Sequence, residues 1–146
     1  MSKRDRLPLD VTHHIRDTCL CLHVQRAARA VARRFDDALR SHGLTNGQFS
    51  LLAALNRPAP PSIGAVAALL AMDRTTLTAN LKPLERRRLV KVAVDRHDRR
   101  GRVLTLTARG KILLREALPA WKRTQGAMEP LLAGADRFRA DLAALG

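Results

Sequence analysis

The sequence predicts a mainly α-helical fold with a single small β-hairpin, and three observations indicate it. Apolar residues recur at intervals of three and four along most of the chain, as they do on the buried side of a helix. Two short segments, at about 90–94 and 103–106, alternate side chains with period two, which is typical of strands. Ser62, Asp73 and Thr107 stand where helical patterns begin, and each can cap a helix N-terminus.

The composition favours a nucleic-acid partner. The 146 residues are 46% hydrophobic, which is enough for the core of one domain. The chain carries 27 Lys and Arg against 13 Asp and Glu, a formal net charge of +14, which suits nucleic acid or an anionic membrane. No apolar run approaches the roughly 20 residues of a membrane span, and the N-terminus lacks an apolar signal core. We therefore expect a cytoplasmic protein with no membrane partner.

The first third of the chain predicts an arm and one long helix. Residues 1–10 are polar, and we expect a loose arm there. A helix is predicted from about residue 11 to residue 41, ending at Gly43, because one of its faces is apolar throughout. Its arginines mostly occupy the other face, which we interpret as solvated. The apolar positions are Leu20, Val24, Ala27, Ala28, Val31, Phe35 and Leu39.

Three shorter helices are predicted between the long helix and the hairpin, and the first of them stops near Pro58. Thr45 and Gln48 form a capping box for that first helix, which carries Phe49. Residues 59–61 are interpreted as a rigid link. Ser62 then caps a second helix and Asp73 a third.

The third helix has an apolar back and a polar front. Leu77, Leu81 and Leu84 fall at i, i+4 and i+7 and should point inward together. The opposite face carries cations and hydroxyls, which suit the base edges and phosphates of a DNA groove. The DNA-binding residues predicted on this helix are Arg74, Thr75, Thr76, Thr78, Asn80 and Lys82.

An arginine-rich turn joins the two strands. Such a cationic hairpin beside a DNA-reading helix is the wing of a winged helix-turn-helix, and it can follow the phosphate backbone or enter the minor groove. Gly101 is expected to supply a positive φ. Asp98 is interpreted as a wing-stabilising residue that holds an arginine in place. The predicted DNA contacts of the wing are Arg96, His97, Arg99 and Arg100.

After the hairpin the pattern is helical again. Thr107 caps a helix that should run to about residue 127. Pro130 is well placed to begin a last helix. The positions predicted to be buried in the helix after Thr107 are Ile112, Leu113, Ala117, Leu118 and Trp121.

Three segments together resemble the MarR family of bacterial transcriptional regulators. They are the LxxLExxxLV end of the third helix, the D-R-x-D-R-R turn and the L-T-L-T-x-x-G entry to the next helix. The sequence departs from the family at Arg88, where glycine commonly ends the helix in a left-handed conformation. The resemblance implies a DNA-binding region at 45–106, between dimerisation segments at 1–44 and 107–146.

The resemblance also implies partners. A MarR-type homodimer would bind double-stranded DNA at a near-palindromic operator, most often as a repressor. Members typically release DNA when a small aromatic or anionic effector binds between the dimerisation helices and the DNA-reading unit. Here Phe49 and the helix after Thr107 would wall that cleft. We expect no cofactor.

The two cysteines leave alternatives open. The segment around Cys21 is similar to the reactive-cysteine helix of organic-peroxide sensors in the same family, which makes Cys21 a candidate redox residue. Those sensors use tyrosines to support the thiolate, and this sequence has none. Inert packing of both thiols is the simpler interpretation. Cys19 and His23 share a helix face, but a structural zinc site needs about four ligands, so no metal is predicted. A disulfide between Cys19 and Cys21 within one helix is not expected.

Two other classes of protein fit the sequence less well. An enzyme is not indicated, because the sequence lacks a P-loop, a G-x-G-x-x-G, an H-E-x-x-H and a G-x-S-x-G motif. A sequence-independent nucleic-acid-binding protein is the second alternative. The aromatic content of 3% does not favour base stacking on single strands, and the polar front of the third helix favours a sequence-specific protein.

Overall fold

The computed structural model describes residues 6–146 and confirms a mainly α-helical fold with one antiparallel hairpin. The chain falls into two compact units, one comprising the described residues up to Arg34 and the other Phe35–Gly146. Single turns of 3-10 helix lie at Arg40–His42 and Glu129–Leu131. Within the described range, no helix has the length and apolar character that crossing a membrane requires. The elements are α1 Leu9–Thr18, α2 Leu20–Leu39, α3 Asn46–Ala54, α4 Ile63–Leu69, α5 Arg74–Arg86, β1 Val90–Val94, β2 Arg102–Leu106, α6 Ala108–Met128 and α7 Ala135–Leu145.

The predicted long first helix is interrupted at Cys19, which corrects the sequence analysis. Cys19 has extended backbone angles (φ −68°, ψ 111°). Its sulfur accepts the backbone N–H of Leu22 at 3.5 Å, so Cys19 acts as the N-cap of α2. The argument that Cys19 and Cys21 diverge on one continuous helix therefore does not apply.

The N-terminal arm is shorter than predicted. Helix α1 begins at Leu9, directly after Pro8, so the arm does not reach residue 10. Residues 1–5 of the predicted arm lie outside the described residues. Proline is well suited to this boundary because its missing N–H costs a helix start nothing.

The predicted caps of the second unit are confirmed. Thr45 and Gln48 form both hydrogen bonds of the capping box, at 3.2 and 3.1 Å. Ser62 accepts from the N–H of Ala65 at 3.1 Å, and Thr107 accepts from that of Gly110 at 3.0 Å. Each hydroxyl or amide satisfies a donor that the first turn of a helix leaves unpaired, and this fixes where α3, α4 and α6 start.

The core of the second unit is built around α3, which packs against α4, α5 and α6. Leu51 and Leu52 on this helix are fully buried. The inward stripe of α5 is also buried as predicted, with Leu77 and Leu84 at 0% exposure and Leu81 at 3%. Burying one such leucine contributes about 1.5–3 kcal/mol, so the position of α5 is held mainly by this stripe.

The two C-terminal helices depart from prediction in two places. Ile112 is 54% exposed, whereas Ala117 is buried. The two residues are five positions apart on α6, so their side chains point about 140° away from each other around the helix axis and cannot share one buried face. Pro130 does not begin the last helix but lies in the 3-10 turn, and α7 starts at Ala135. Leu113, Leu118 and Trp121 are partly buried against the core.

Candidate nucleic-acid interface

The wing is anchored to the start of α4 by backbone pairing that the sequence did not reveal. Strands β1 and β2 are antiparallel, and their pairing runs from Val90 opposite Leu106 to Val94 opposite Arg102. A further bridge joins Ser62 to Val103, and the N–H of Leu104 donates to the carbonyl oxygen of Pro61 at 2.9 Å. Prolines at 58, 60 and 61 suggested only a link, yet the carbonyl of a proline can still accept from a strand.

The turn of the wing is held by two aspartates that bind backbone, not arginine. Asp95 accepts the N–H of His97 at 2.9 Å, and Asp98 accepts the N–H of Arg100 at 3.0 Å. The structure therefore corrects the expectation that Asp98 holds an arginine side chain. Aspartate side chains commonly close turns in this way, by accepting the backbone N–H of the residue two positions later in the chain.

Gly101 closes the same turn, but it does so without the predicted positive φ. Its N–H donates to the carbonyl oxygen of Asp98 at 2.9 Å, and its own carbonyl accepts from Asp95 at 3.1 Å. A Cβ at this position would lie 3.3 Å from the Asp98 carbonyl oxygen. The glycine is explained by this close approach, not by its backbone angles.

Asp73 fixes the start of α5. It accepts the N–H of Thr76 at 2.7 Å and the hydroxyl of Thr76 at 2.9 Å. These hydrogen bonds hold the pKa of Asp73 below its ordinary value, because they favour the ionised carboxylate. The hydroxyl proton of Thr76 is thus directed to Asp73, which leaves only its oxygen to accept from another group.

The polar front of α5 is exposed over its first three turns. Arg74, Thr75, Thr78 and Lys82 are exposed side chains. Asn80 is half-buried, and its amide nitrogen lies 3.6 Å from the sulfur of Met72. Thr76 is exposed too, so five of the six predicted side chains on α5 are exposed and Asn80 lies at the edge of the helix.

The end of α5 resolves the question raised by Arg88. Arg88 takes the left-handed conformation with φ 58°, as glycine does in the family pattern. The N–H of Leu89 donates to Leu84 and that of Arg88 donates to Glu85, both at 2.9 Å. These two bonds are a Schellman motif, which satisfies the last carbonyls of the helix. This conformation costs a residue with a Cβ about 1–2 kcal/mol.

A second tie at the end of α5 comes from Arg87. Its guanidinium donates to the carbonyl oxygen of Gly43 at 2.6 Å. Gly43 itself ends the 3-10 turn with φ 65°, and a Cβ there would lie 3.2 Å from the Arg87 Nη2. The end of the candidate DNA-reading helix is thereby held against the start of the α3 segment.

One cleft brings α5 and the wing together. It has a volume of about 250 Å³, and it gathers Arg74 and Thr78 from α5 with Arg100 from the wing. The other predicted contacts of α5 and the wing lie outside its lining. Arg102 also lines this cleft; the sequence places it in the arginine-rich turn, but it is not among the predicted DNA contacts. The residues that line this cleft are Ser62, Ile63, Gly64, Arg74, Thr78, Arg100, Gly101 and Arg102.

A separate cavity of about 450 Å³ lies between α3 and α6. Phe49 and Trp121 both line it and stack on each other, with ring centroids 6.2 Å apart and planes 14° apart. Lys111 and Arg115 stand one turn apart on α6 and contribute positive charge to its wall. The cavity therefore combines an aromatic floor with two cations. Its complete lining is Phe49, Ala53, Asn56, Lys111, Leu114, Arg115, Leu118 and Trp121.

A capped helix with an exposed cationic front, followed by an arginine-bearing hairpin, defines a winged helix-turn-helix protein of the DNA-binding class. The sequence profile of the MarR family matches residues 42–101. The transcriptional regulator MosR of M. tuberculosis, solved in complex with DNA, is 38% identical with a TM-score of 0.81. That alignment covers 88% of this chain and 93% of MosR. The chain belongs to the MarR family of transcriptional regulators.

Two further relatives bear on the details. The transcriptional activatory protein BadR of Rhodopseudomonas palustris is 38% identical over 77 residues, which are 51% of this chain and 44% of BadR. This chain thus spans less than half the length of that curated relative. BpsR of Bordetella bronchiseptica, whose DNA binding is regulated by 6-hydroxynicotinic acid, is 26% identical with a TM-score of 0.74. The alignment covers 86% of this chain and 89% of BpsR.

Proposed function

We propose that this protein is a homodimeric transcriptional regulator that binds double-stranded DNA sequence-specifically and represses until a small effector releases it. The observation that carries the proposal is the cleft in which α5 and the wing present arginines together. MosR, a relative of nearly the same length, was solved with DNA bound. The proposal assigns the protein no catalytic role and places it in the cytoplasm, with the chromosome.

A second copy of the chain would cover the apolar surface of the terminal helices. In the first unit, Leu20 is 69% exposed and Val31 41%. In α7, Phe138 and Leu145 are 40% and 64% exposed. Exposed apolar side chains at regular helical spacing favour an interface. A two-fold dimer would set two α5 helices in successive major grooves, about 34–36 Å apart, on a near-palindromic operator.

The proposed DNA contacts divide by element. The exposed front of α5 would enter the major groove, where hydroxyls and cations reach base edges. The wing would meet the phosphate backbone or the minor groove. The residues proposed are Arg74, Thr75, Thr76, Thr78, Asn80 and Lys82 on α5, and Arg96, His97, Arg99 and Arg100 on the wing, with Asp98 holding the turn.

Replacing Arg100 with alanine is expected to flatten the salt dependence of DNA binding. Each lost phosphate contact lowers the slope of log K against log salt by about 0.9, so the change should be about 0.9 per subunit. The measurement is a titration at several salt concentrations against a duplex selected from a random pool by the wild-type protein. Arg137→Ala removes the same charge outside residues 45–106 and should leave the slope unchanged. A random duplex bound as tightly as the selected one would instead indicate a sequence-independent protein.

The cavity between α3 and α6 supports a small aromatic anion as effector. Stacked Phe49 and Trp121 offer an apolar face, while Lys111 and Arg115 offer charge to a carboxylate. The regulation of BpsR by 6-hydroxynicotinic acid, an aromatic acid, agrees with this chemistry. Binding at this place would act on α6, whose first turn contacts Leu89 at the base of the wing.

An oxidant-sensing repressor is the second candidate, and the exposure of Cys21 favours it. Cys19 is half-buried at the N-cap of α2. Among residues 6–146, no three His, Cys, Asp or Glu side chains are grouped closely enough to hold a metal ion. An accessible thiol can be oxidised to sulfenic acid, which adds a polar group to the helix surface.

If Cys21 is the sensing thiol, organic hydroperoxide should abolish operator binding by the wild type and by Cys19→Ser, and Cys21→Ser should keep its binding. The reason is that the reaction needs an accessible thiolate. Gel-shift titrations before and after treatment, with recovery by dithiothreitol, would measure the effect. An unchanged wild type would remove oxidant sensing and leave a small-molecule effector.

A further inference from the structure

We propose that the cleft between α5 and the wing holds one phosphodiester strand of the duplex, gripped by Arg74 from one wall and by Arg100 and Arg102 from the other. This inference rests on the proposed function and names what the cleft takes. If α5 enters a major groove and the wing an adjacent minor groove, a sugar-phosphate strand must run between them. The cleft is the space between those two elements.

The carboxylates near the cleft accept hydrogen bonds from backbone N–H groups and form no ion pair with the arginines of the cleft. Asp73, Asp95 and Asp98 each accept a backbone N–H within 3.0 Å. Among the described residues, Arg74, Arg100 and Arg102 form no ion pair within 4.0 Å. These carboxylates keep their negative charge, but they are directed to backbone N–H groups of the turns and the helix cap, and not to the arginines. Three guanidinium groups therefore line one cleft without an ion-pair partner in the part of the chain that the structure describes, and such a cluster attracts phosphate.

The two walls hold their arginines in place. The Nη1 of Arg102 donates to the carbonyl oxygen of Gly101 at 3.1 Å, which keeps its guanidinium at the base of the wing turn. The guanidinium of Arg74 lies over Gly64 at the start of α4, where an added Cβ would be 2.9 Å from Nη2. The absent side chain at Gly64 therefore leaves room for Arg74 to lie in the cleft.

This placement changes the role of two residues. Arg74 becomes a phosphate contact, not a reader of base edges, because its guanidinium lies toward the wing. Arg102, which is not among the contacts predicted from the sequence, becomes a DNA contact. Phosphate contacts position a protein on DNA but carry no direct sequence information. Sequence preference then falls to the other exposed side chains of α5, among them Thr75.

The test compares Arg74→Ala, Arg102→Ala and the double variant on two duplexes of equal length, one selected from a random pool by the wild type and one of random sequence. Each single change is expected to weaken both duplexes by the same factor, roughly tenfold or more, and to lower the salt slope by about 0.9 per subunit. The double variant should lose less than the sum, because both arginines act on one strand. Arg102→Lys should keep the slope, since it keeps the charge.

A neutral methylphosphonate scan then locates the strand. Replacing the gripped phosphate in each half-site should weaken wild-type binding and should abolish the difference between the wild type and Arg102→Ala. The inference is overturned if Arg102→Ala binds as the wild type does. It is also overturned if Arg74→Ala weakens the selected duplex alone, or if no scanned position removes the difference. Failure of the wild type to enrich any sequence would instead overturn the proposed function.

Discussion

Gly110→Ala is expected to lower the free energy of unfolding by about 1–3 kcal/mol or more, because the new methyl group has no space. A Cβ at this position would lie 2.2 Å from the carbonyl oxygen of Leu89 and 2.6 Å from Cδ1 of Leu106. Neither group can move cheaply. The Leu89 carbonyl accepts the N–H of Thr107 at 3.1 Å, and Leu106 is buried in the core. The first turn of α6 therefore needs a glycine where it crosses the base of the wing.

Gly126→Ala supplies the matched control in the same helix. Apart from the neighbouring residues and the backbone of α6 itself, no described part of the chain would lie within 4 Å of a Cβ at Gly126. Alanine there should stabilise the helix by about 0.5–1 kcal/mol, because glycine loses more conformational freedom on folding. Urea denaturation of both variants and the wild type, at one protein concentration, measures the two changes. Equal stability of Gly110→Ala and wild type would contradict the close contact between α6 and Leu89.

The predictions that succeeded depend on neighbours within a few residues. The capping box at Thr45 and Gln48, the cap at Asp73 and the stripe through Leu77 are local patterns of residue type and spacing. Such features are fixed by helix geometry, so a single sequence suffices to predict them. The helix end at Arg88 follows the same local rule, because Arg88 takes the left-handed conformation that glycine commonly has at this position.

The predictions that were wrong depend on alternative hydrogen-bond partners of a side chain or on contacts with distant parts of the chain. Cys19 interrupts a run whose apolar spacing continues, because a side chain that accepts from the backbone can start a new helix anywhere. Asp98 was assigned to an arginine, but the nearer backbone N–H of Arg100 is its partner. The side of α6 that is buried, and hence the exposure of Ile112, is decided by α3 and not by α6 alone.

Sequence patterns could not predict this cleft, because it depends on backbone pairing between residues that are about forty positions apart in the chain. The bridge between Ser62 and Val103 brings the start of α4 to the wing. Only then do Gly64 and Arg74 come near Arg102. Each residue taken alone has an ordinary interpretation as a helix residue or a solvated cation. Their meeting around one cavity gives them a common role in the proposed DNA contact.

The double variant Lys111→Ala, Arg115→Ala is expected to weaken binding of an aromatic carboxylate by roughly tenfold or more, because charge-assisted hydrogen bonds are the stronger polar contacts. Trp121 is the only tryptophan of the chain and lines the cavity, so its fluorescence reports binding directly. The measurement is a titration of wild type and variant with 6-hydroxynicotinate and with benzoate. Lys111 and Arg115 are both exposed and do not belong to the hydrophobic core, so the variant should remain folded.

A neutral ligand separates charge from shape in this cavity. Benzamide keeps the ring of benzoate but lacks its negative charge, so it should bind the wild type weakly and the double variant equally weakly. Trp121→Phe keeps the stacking with Phe49 and should retain binding when affinity is measured by calorimetry. Since Thr107, the N-cap of α6, is hydrogen-bonded to the carbonyl oxygen of Leu89, ligand that displaces α6 should also weaken operator binding by the wild type. Equal affinity of wild type and double variant for both carboxylates would contradict the assignment of this cavity to an anionic effector.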